Sequence, residues 1–281
     1  QKIFKNVGGA GILMNINNGE ILSLVSVPDF DLNSRKDISD SKYINRATKG
    51  VYELGSVFKS FTIAAGLNYG LISLNDMFLN LEKKLRCGGR IISEYDEKLP
   101  KDLSVEDILV YSSNIGSVKI GQIIGQERLK KFLNKIGVLN HLNFDIEEIG
   151  KPLTFKWRDC KLKTVSYGHG VTTTPIQLAK GYAILSNGGY DIKPTLIKKN
   201  FYNSPKIRIL NKNVSSQINK IFRKVVTHGT ASLSDVDGYE VGGKTGTAQI
   251  VENGIYTNKK INTFASVFPS SNPKFVLVIL L

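Results

Sequence analysis

Residues 239–251, YEVGGKTGTAQIV, read as a β-strand with room beside it. Gly242, Gly243 and Gly246 sit within a β-prone run, and glycines there let a second backbone lie close along an exposed edge. The plainer alternative is an ordinary edge strand on which Lys244 discourages unwanted pairing. Working outward, residues 263–268 and 275–281 are further strand-like runs, with a turn expected around Asn253 and Gly254. At the other end of the chain, residues 9–15 (GAGILMN) and 20–26 (EILSLVS) are apolar runs separated by Asn17, Asn18 and Gly19. That separation is hairpin turn chemistry, so two strands open the chain.

Helical patterning fills the interval. The apolar, proline-free run from Val57 to Leu67 predicts a helix, as does the spacing over 103–125 and 127–137. Ser104 followed by Asp107 is a capping box. A Thr174–Pro175 step starts another helix, Ile176 to Leu185, stopped by Asn187, Gly188 and Gly189. Strands at both ends and helices between them predict an α+β fold. Strands from 1–30 and 239–281 would share one antiparallel sheet, and a mainly helical region would span about 57–190, all within one domain of 281 residues. No βαβ alternation with a Gly-rich phosphate loop is present, which excludes a doubly wound nucleotide-binding fold.

Composition narrows the function classes. The 38 Lys plus Arg against 24 Asp plus Glu give a formal net charge of +14, which raises the question of an anionic partner. The lysines are dispersed and do not alternate with aromatics, so the excess reads as compositional bias and no nucleic-acid partner is expected. Cys87, Cys160, His141, His169 and His228 are too few and too scattered for a metal site, and no metal is implied. The two cysteines are expected as free or buried thiols; a disulfide requires an oxidising compartment. The longest apolar run, Phe275 to Leu281, is far short of the ~20 residues of a membrane span, and no signal peptide is visible. A start at Gln1 and a stop inside a strand-like run suggest an excised domain.

Three short motifs carry chemistry. Ser-x-x-Lys occurs at Ser39–Lys42, Ser56–Lys59 and Ser271–Lys274. The first lies in a polar segment and the third contains Pro273, a turn signal. Only Ser56 follows a glycine and starts an apolar helix, where a lysine three residues on shares its face and free N–H groups lie beside the hydroxyl. The bland alternative is a helix-start serine with a solvated lysine. Ser-x-Asn occurs at Ser73–Asn75, Ser112–Asn114 and Ser270–Asn272. The outer two look like turn residues, whereas Ser112, Ser113 and Asn114 interrupt apolar helical stretches and either cap a break or line a cleft. Lys244-Thr245-Gly246 occurs once.

Taken in order, the trio resembles the active-site serine penicillin-recognising family. The likeness is strongest to class B penicillin-binding proteins, the monofunctional transpeptidases. GAGILMNINNGEILSLVSVPDFDLN is similar to that family's first hairpin and the segment after it. YELGSVFK resembles its nucleophile motif, YSSNIG its second motif, YGHGVTTTPIQLAKGYAILSNGG its Gly-rich loop and following helix, and GTASLSDVDGYEVGGKTGTAQ its third motif. The resemblance covers nearly the whole chain, thinning at about 75–102 and 126–160. Tyr167-Gly168-His169-Gly170 leans toward the division-type branch. Leu54 and Val57 stand where proline and threonine are common, which removes no reactive group.

The resemblance implies a peptidoglycan DD-transpeptidase that needs no cofactor. Ser56 would attack the penultimate D-alanine carbonyl of a stem peptide, with Lys59 as base, its pKa lowered by burial and by Lys244. Backbone N–H groups of Ser56 and Thr247 would form the oxyanion hole. Ser112 would pass a proton to the leaving amine and Asn114 would orient the substrate amide. Lys244, Thr245, Gly246 and Thr247 would hold the substrate carboxylate. Implied partners are stem peptides, lipid-linked precursor glycan, β-lactam antibiotics and, in a longer protein, a glycosyltransferase or division partner. The implied place is the periplasmic face of the inner membrane, with an N-terminal anchor and a pedestal domain outside this sequence. Two alternatives remain: a serine β-lactamase or β-lactam sensor, for which Glu147 and Glu148 are the deacylating candidates by position, and a non-catalytic wall-binding domain.

Overall fold

Gly19 takes φ +77 and its N–H bonds to Asn15 O at 2.9 Å, turning the chain between β1 (Gly9–Asn15) and β2 (Ile21–Val27). A computed structural model describes residues 7–31, 33, 40–198, 207–252 and 255–281. Ser39 and the expected turn at Asn253 and Gly254 lie outside the described residues.

In chain order there follow α1 (Lys59–Asn68), β3 (Met77–Phe78), β4 (Lys84–Cys87), β5 (Arg90–Ser93), β6 (Leu103–Ser104), α2 (Val105–Val110), α3 (Asn114–Ile124), α4 (Gln126–Ile136) and α5 (Asp159–Val165). Then come α6 (Pro175–Ser186), α7 (Lys212–Thr227), β7 (Gly242–Glu252), β8 (Ile255–Phe268) and β9 (Phe275–Leu280). The two ends of the chain build one five-stranded antiparallel sheet in the order β2-β1-β9-β8-β7. β9 alternates half-buried and buried residues, the period-2 signature of a strand with one face on a core. Its register, with Ala10 opposite Leu280 and Met14 opposite Val276, puts Ile12, Met14, Val276 and Val278 on the buried side under α6, while α7 covers β7.

α6 is buried all round, as its continuous apolar sequence requires. Thr174 and Gln177 close a reciprocal cap at its start. Its Tyr182 stacks on Phe222 of α7 at 5.2 Å and donates its hydroxyl to Val57 O at 2.9 Å. Sheet, central helix and the Ser56 segment are thereby fixed to one another. α1 packs against α2, α3 and α4 and also against α7.

Several sequence expectations need correction. Residues 103–125 are not one helix: Leu103 and Ser104 pair with β3, and Ser112, at φ +63, breaks α2 from α3. The Ser104–Asp107 capping box is present at the start of α2. The interval 57–190 also holds two small antiparallel ladders, β3–β6 and β4–β5, and the amphipathic α7 lies beyond it. Cys87 and Cys160 are not free thiols. They form a disulfide, because β4 and α5 bring their Cα atoms to 5.3 Å. Among the described residues no helix is long and apolar enough to cross a membrane.

Candidate active site

Leu54 to Lys59 place the first motif. Gly55, at φ +63, opens a single 3₁₀ turn over Gly55–Phe58 that runs directly into α1, which begins at Lys59 and not at Val57. In a 3₁₀ turn residues i and i+3 eclipse, so Ser56 and Lys59 project from the same side of it. A side chain on Gly55 would lie 2.4 Å from Thr247 O, and one on Gly246 would lie 2.3 Å from Leu54 O. Only glycine at both positions lets this turn rest against β7, the exposed edge of the sheet. Gly168 makes the third close approach, with a notional Cβ 1.9 Å from Gly55 O.

The second motif is held at the break between α2 and α3. Ser112 occupies the left-handed region, which costs a non-glycine residue free energy and is maintained only by surrounding bonds. Lys59 Nζ donates to Ser112 Oγ at 3.0 Å and also to Ser112 O. Lys244 Nζ donates to the same Oγ at 2.9 Å and to Thr245 O at 3.2 Å. Both lysines are fully buried. One hydroxyl thus accepts from two amines, which fills its lone pairs and leaves its proton free to donate into the cleft.

Two like charges in one dry site are expensive, so the amines give up protons easily. Burial, and after it the charge of Lys244, pushes Lys59 well below its ordinary value, while Glu94 pulls the other way. Burial alone brings Lys244 down to about 7. A buried amine of lowered proton affinity beside the Ser56 turn is what general-base chemistry needs.

The cleft in front of these groups has a volume of about 760 Å³ and is lined by Ser56, Ser112, Asn114, Thr245, Gly246 and Thr247, among others. Six of the eight residues singled out by motif thus line one cleft, and the other two, Lys59 and Lys244, lie buried behind it, each bonded to Ser112 Oγ. Ser56 is half-exposed, and among the described residues its hydroxyl has no hydrogen-bond partner. The competing matches fall elsewhere: Ser73 bonds Asp76 within its turn, and Ser271 bonds the Glu240 carboxylate. Glu148 accepts from Asn45 N at 3.1 Å, and neither it nor the exposed Glu147 lines the cleft. Among the described residues no cluster of three His, Cys, Asp or Glu could hold a metal.

Residues 9–281 match the model of the penicillin-binding protein transpeptidase domain. The chain belongs to this family. Over 99% of its length it is 32% identical to the probable peptidoglycan D,D-transpeptidase FtsI of Caulobacter vibrioides, of which it covers 49%. Over 98% of its length it is 30% identical to the probable peptidoglycan D,D-transpeptidase PenA of Neisseria flavescens, covering 69% of that protein. The transpeptidase domain of Burkholderia pseudomallei penicillin-binding protein 3 superposes with a TM-score of 0.87 at 25% identity, over 100% of this chain and 81% of that one. The chain spans about half the length of the FtsI relative. The α+β fold expected from sequence is the fold of this transpeptidase family.

Other cleft residues of this transpeptidase domain were given no role from sequence, although some of them lie in the quoted motif stretches. Thr230, after α7, has its hydroxyl 3.0 Å from Thr245 Oγ1 at one end of the cleft. At the other end Glu53 accepts from Tyr256 Oη at 3.0 Å and Gly170 N at 2.9 Å, while the His169 ring stacks on Tyr256 at 5.0 Å. Burial lowers the His169 pKa, with Glu53 opposing it. The available signals were that Glu53 lies in YELGSVFK, His169 in YGHG and Thr230 in the stretch leading to Lys244.

Proposed function

We propose that this domain carries out DD-transpeptidation, with Ser56 as nucleophile and acyl carrier. The single observation that carries the reading is Ser112 Oγ held between the buried amines of Lys59 and Lys244 at 3.0 and 2.9 Å, in the cleft that Ser56 lines. That arrangement can take a proton from one hydroxyl and deliver one to a leaving amine. In the first step the Ser56 Oγ–carbonyl bond forms, Lys59 takes the hydroxyl proton, and the C–N bond to the terminal D-alanine breaks. Ser112 hands its free proton to the departing nitrogen and is re-protonated from the lysine pair. In the second step an acceptor amine attacks the ester, its proton returns to Ser56 by the same route, and the C–O bond breaks.

Charge develops on the carbonyl oxygen in both steps. The N–H groups of Ser56 and Thr247 are the proposed donors, and the close approach that Gly55 makes to Thr247 supports it. Lys244, Thr245 and Thr247 present a cation and two hydroxyls to the substrate carboxylate, with Gly246 leaving the strand edge open. Asn114, whose Nδ2 donates to Ser93 O at 2.7 Å, is steadied to orient the substrate amide. The relatives' names, peptidoglycan D,D-transpeptidase, support peptidoglycan stem peptides ending in D-Ala-D-Ala as donors, and the penicillin-binding family description supports β-lactams as their mimics. Cross-linking of lipid-linked glycan at the periplasmic face, membrane anchoring and a glycosyltransferase or division partner belong to the longer protein and are proposals of the same kind.

Incubating the domain with a thioester donor and a D-amino acid acceptor tests the reading. Transfer product that disappears in Ser56→Ala is expected. Hydrolysis alone, unresponsive to acceptor, would move the assignment to a β-lactamase or carboxypeptidase-like activity.

A further inference from the structure

Glu94 follows β5 and reaches across to the start of α3, the helix that carries the second motif. Its Oε1 accepts from Ser113 Oγ at 2.6 Å and from Ile115 N at 3.1 Å, and its Oε2 accepts from Asn114 N at 2.6 Å. Ser113 Oγ in turn accepts from Gly116 N at 2.9 Å. The first three N–H groups of α3 are therefore satisfied, two of them by a carboxylate twenty residues away in sequence. Ser93, its neighbour, accepts from the Asn114 side chain at 2.7 Å.

Ser112 lies directly between these bonds and α2. Its left-handed backbone is held on one side by Ser113 N donating to Ile108 O at 2.9 Å and on the other by the Glu94 bonds to residues 113–115. Released from either side, a serine would relax from φ > 0, and its hydroxyl would leave the space between the two amines. The β4–β5 hairpin that delivers Glu94 is itself tied to α5 through the Cys87–Cys160 disulfide.

We propose that Glu94 is a positioning residue for the acyl-transfer chemistry, fixing the Ser112–Asn114 turn from the β4–β5 hairpin and so keeping Ser112 Oγ between the two amines. The inference rests on reading the cleft as the acylation site. The carboxylate also has a separate consequence. The charged groups bearing on Lys59 are Lys244 from β7, which lowers its proton affinity, and Glu94 from the hairpin, which raises it. An ordinary helix cap would affect only the geometry; a charge placed here also affects where the base titrates.

The test measures second-order acylation by a fluorescent penicillin across pH for the parent, Glu94→Gln and Glu94→Asp, with melting curves for each. Glu94→Gln keeps the shape and loses the charge-assisted bonds, so acylation should fall about tenfold or more. Its acidic limb should move to lower pH, because the amine has lost the charge that favours its protonated form. Glu94→Asp keeps the charge and shortens the reach, so the rate should fall while the limb stays with the parent. A parental rate in Glu94→Gln, or a slower rate with an unmoved limb, would overturn the proposal and leave Glu94 a helix cap. If Glu94→Gln does not fold, Glu94→Asp decides alone, and a parental rate there is the overturning result. A parent that penicillin does not acylate would defeat the acylation reading itself, and this inference with it.

Discussion

Lys59→Met separates what the lysine does for chemistry from what it costs the fold. Methionine keeps the unbranched stem in a site where Lys59 is completely buried, and removes only the amine. Replacing buried ionic groups by apolar side chains of similar volume is often neutral or stabilising by about 1–4 kcal/mol. Against this, Ser112 O loses a donor, which costs about 1–3 kcal/mol when a buried acceptor is left unpaired. Ser112 Oγ still accepts from Lys244 at 2.9 Å. The two terms are of similar size and opposite sign, so the variant's stability should stay within about 3 kcal/mol of the parent's, a change in Tm of at most ~6–12 °C. Acylation should fall by at least the ~10² that a general base contributes.

pH dependence adds a second signature. In the folded parent Lys244 titrates at about 7 and Lys59 well below its ordinary value, whereas in the unfolded chain both titrate near ~10.4. From about pH 7 up to ~10.4 the unfolded state thus holds more protons, and stability rises with pH across that window. Below it both states are protonated at Lys244 and that contribution to the slope vanishes. Lys59→Met should lose its share of this slope. Stopped-flow acylation and melting curves at several pH values measure both effects. A folded Lys59→Met protein acylated within tenfold of the parent would refute the base assignment. A melting temperature many degrees lower would show that the amine is there for the fold.

Three further outcomes are expected. Lys244→Ala removes a cation aimed at the substrate carboxylate, so acylation by carboxylate-bearing drugs should drop about 10- to 150-fold, in line with 1.5–3 kcal/mol for charge-assisted bonds; an unchanged rate would reduce Lys244 to an edge-strand guard. Gly168→Ala forces a methyl to within 1.9 Å of Gly55 O at φ +91, so the Ser56 turn must shift; slower acylation with little loss of helical signal is expected, and parental kinetics would mean the loop yields freely. Replacing Cys87 and Cys160 by serine opens a cross-link between residues 73 apart and should cost about 2–4 kcal/mol, read by denaturant titration; no loss would show that the folded state holds β4 on α5 unaided.

Sequence periodicity was enough for the outer frame. The hairpin at Asn17–Gly19, the alternation of β9 and the capped, wholly apolar α6 are signals written locally, and each survives in the structure. The β8 segment before 263 escaped because Asn258, Lys259, Lys260 and Asn262 give a hairpin arm no apolar alternation. α7 escaped although its Val214, Ile218, Ile221, Phe222 and Val225 follow a helical period, since polar residues dilute them. At the site, motif spacing singled out eight positions that the structure gathers at one cleft, because each motif fixes residue type at set offsets. It could not show that Lys59 turns to Ser112, because that contact depends on a left-handed serine 53 residues away. Glu94, Glu53 and Thr230 bond to residues 15 to 203 positions away, and such bonds leave no local pattern. The disulfide was missed for the same reason: nothing near Cys87 indicates that α5 comes to meet it.

The central claim is that Ser56, and not Ser39 or Ser271, carries the acyl group. Incubation with benzylpenicillin followed by intact-protein mass spectrometry and peptide mapping tests this directly. One drug equivalent should be retained through gel filtration, mapped to the peptide containing Ser56, and absent from Ser56→Ala. Acylation mapped to another serine, or a protein left unmodified while Lys59, Ser112 and Lys244 are intact, would contradict the account.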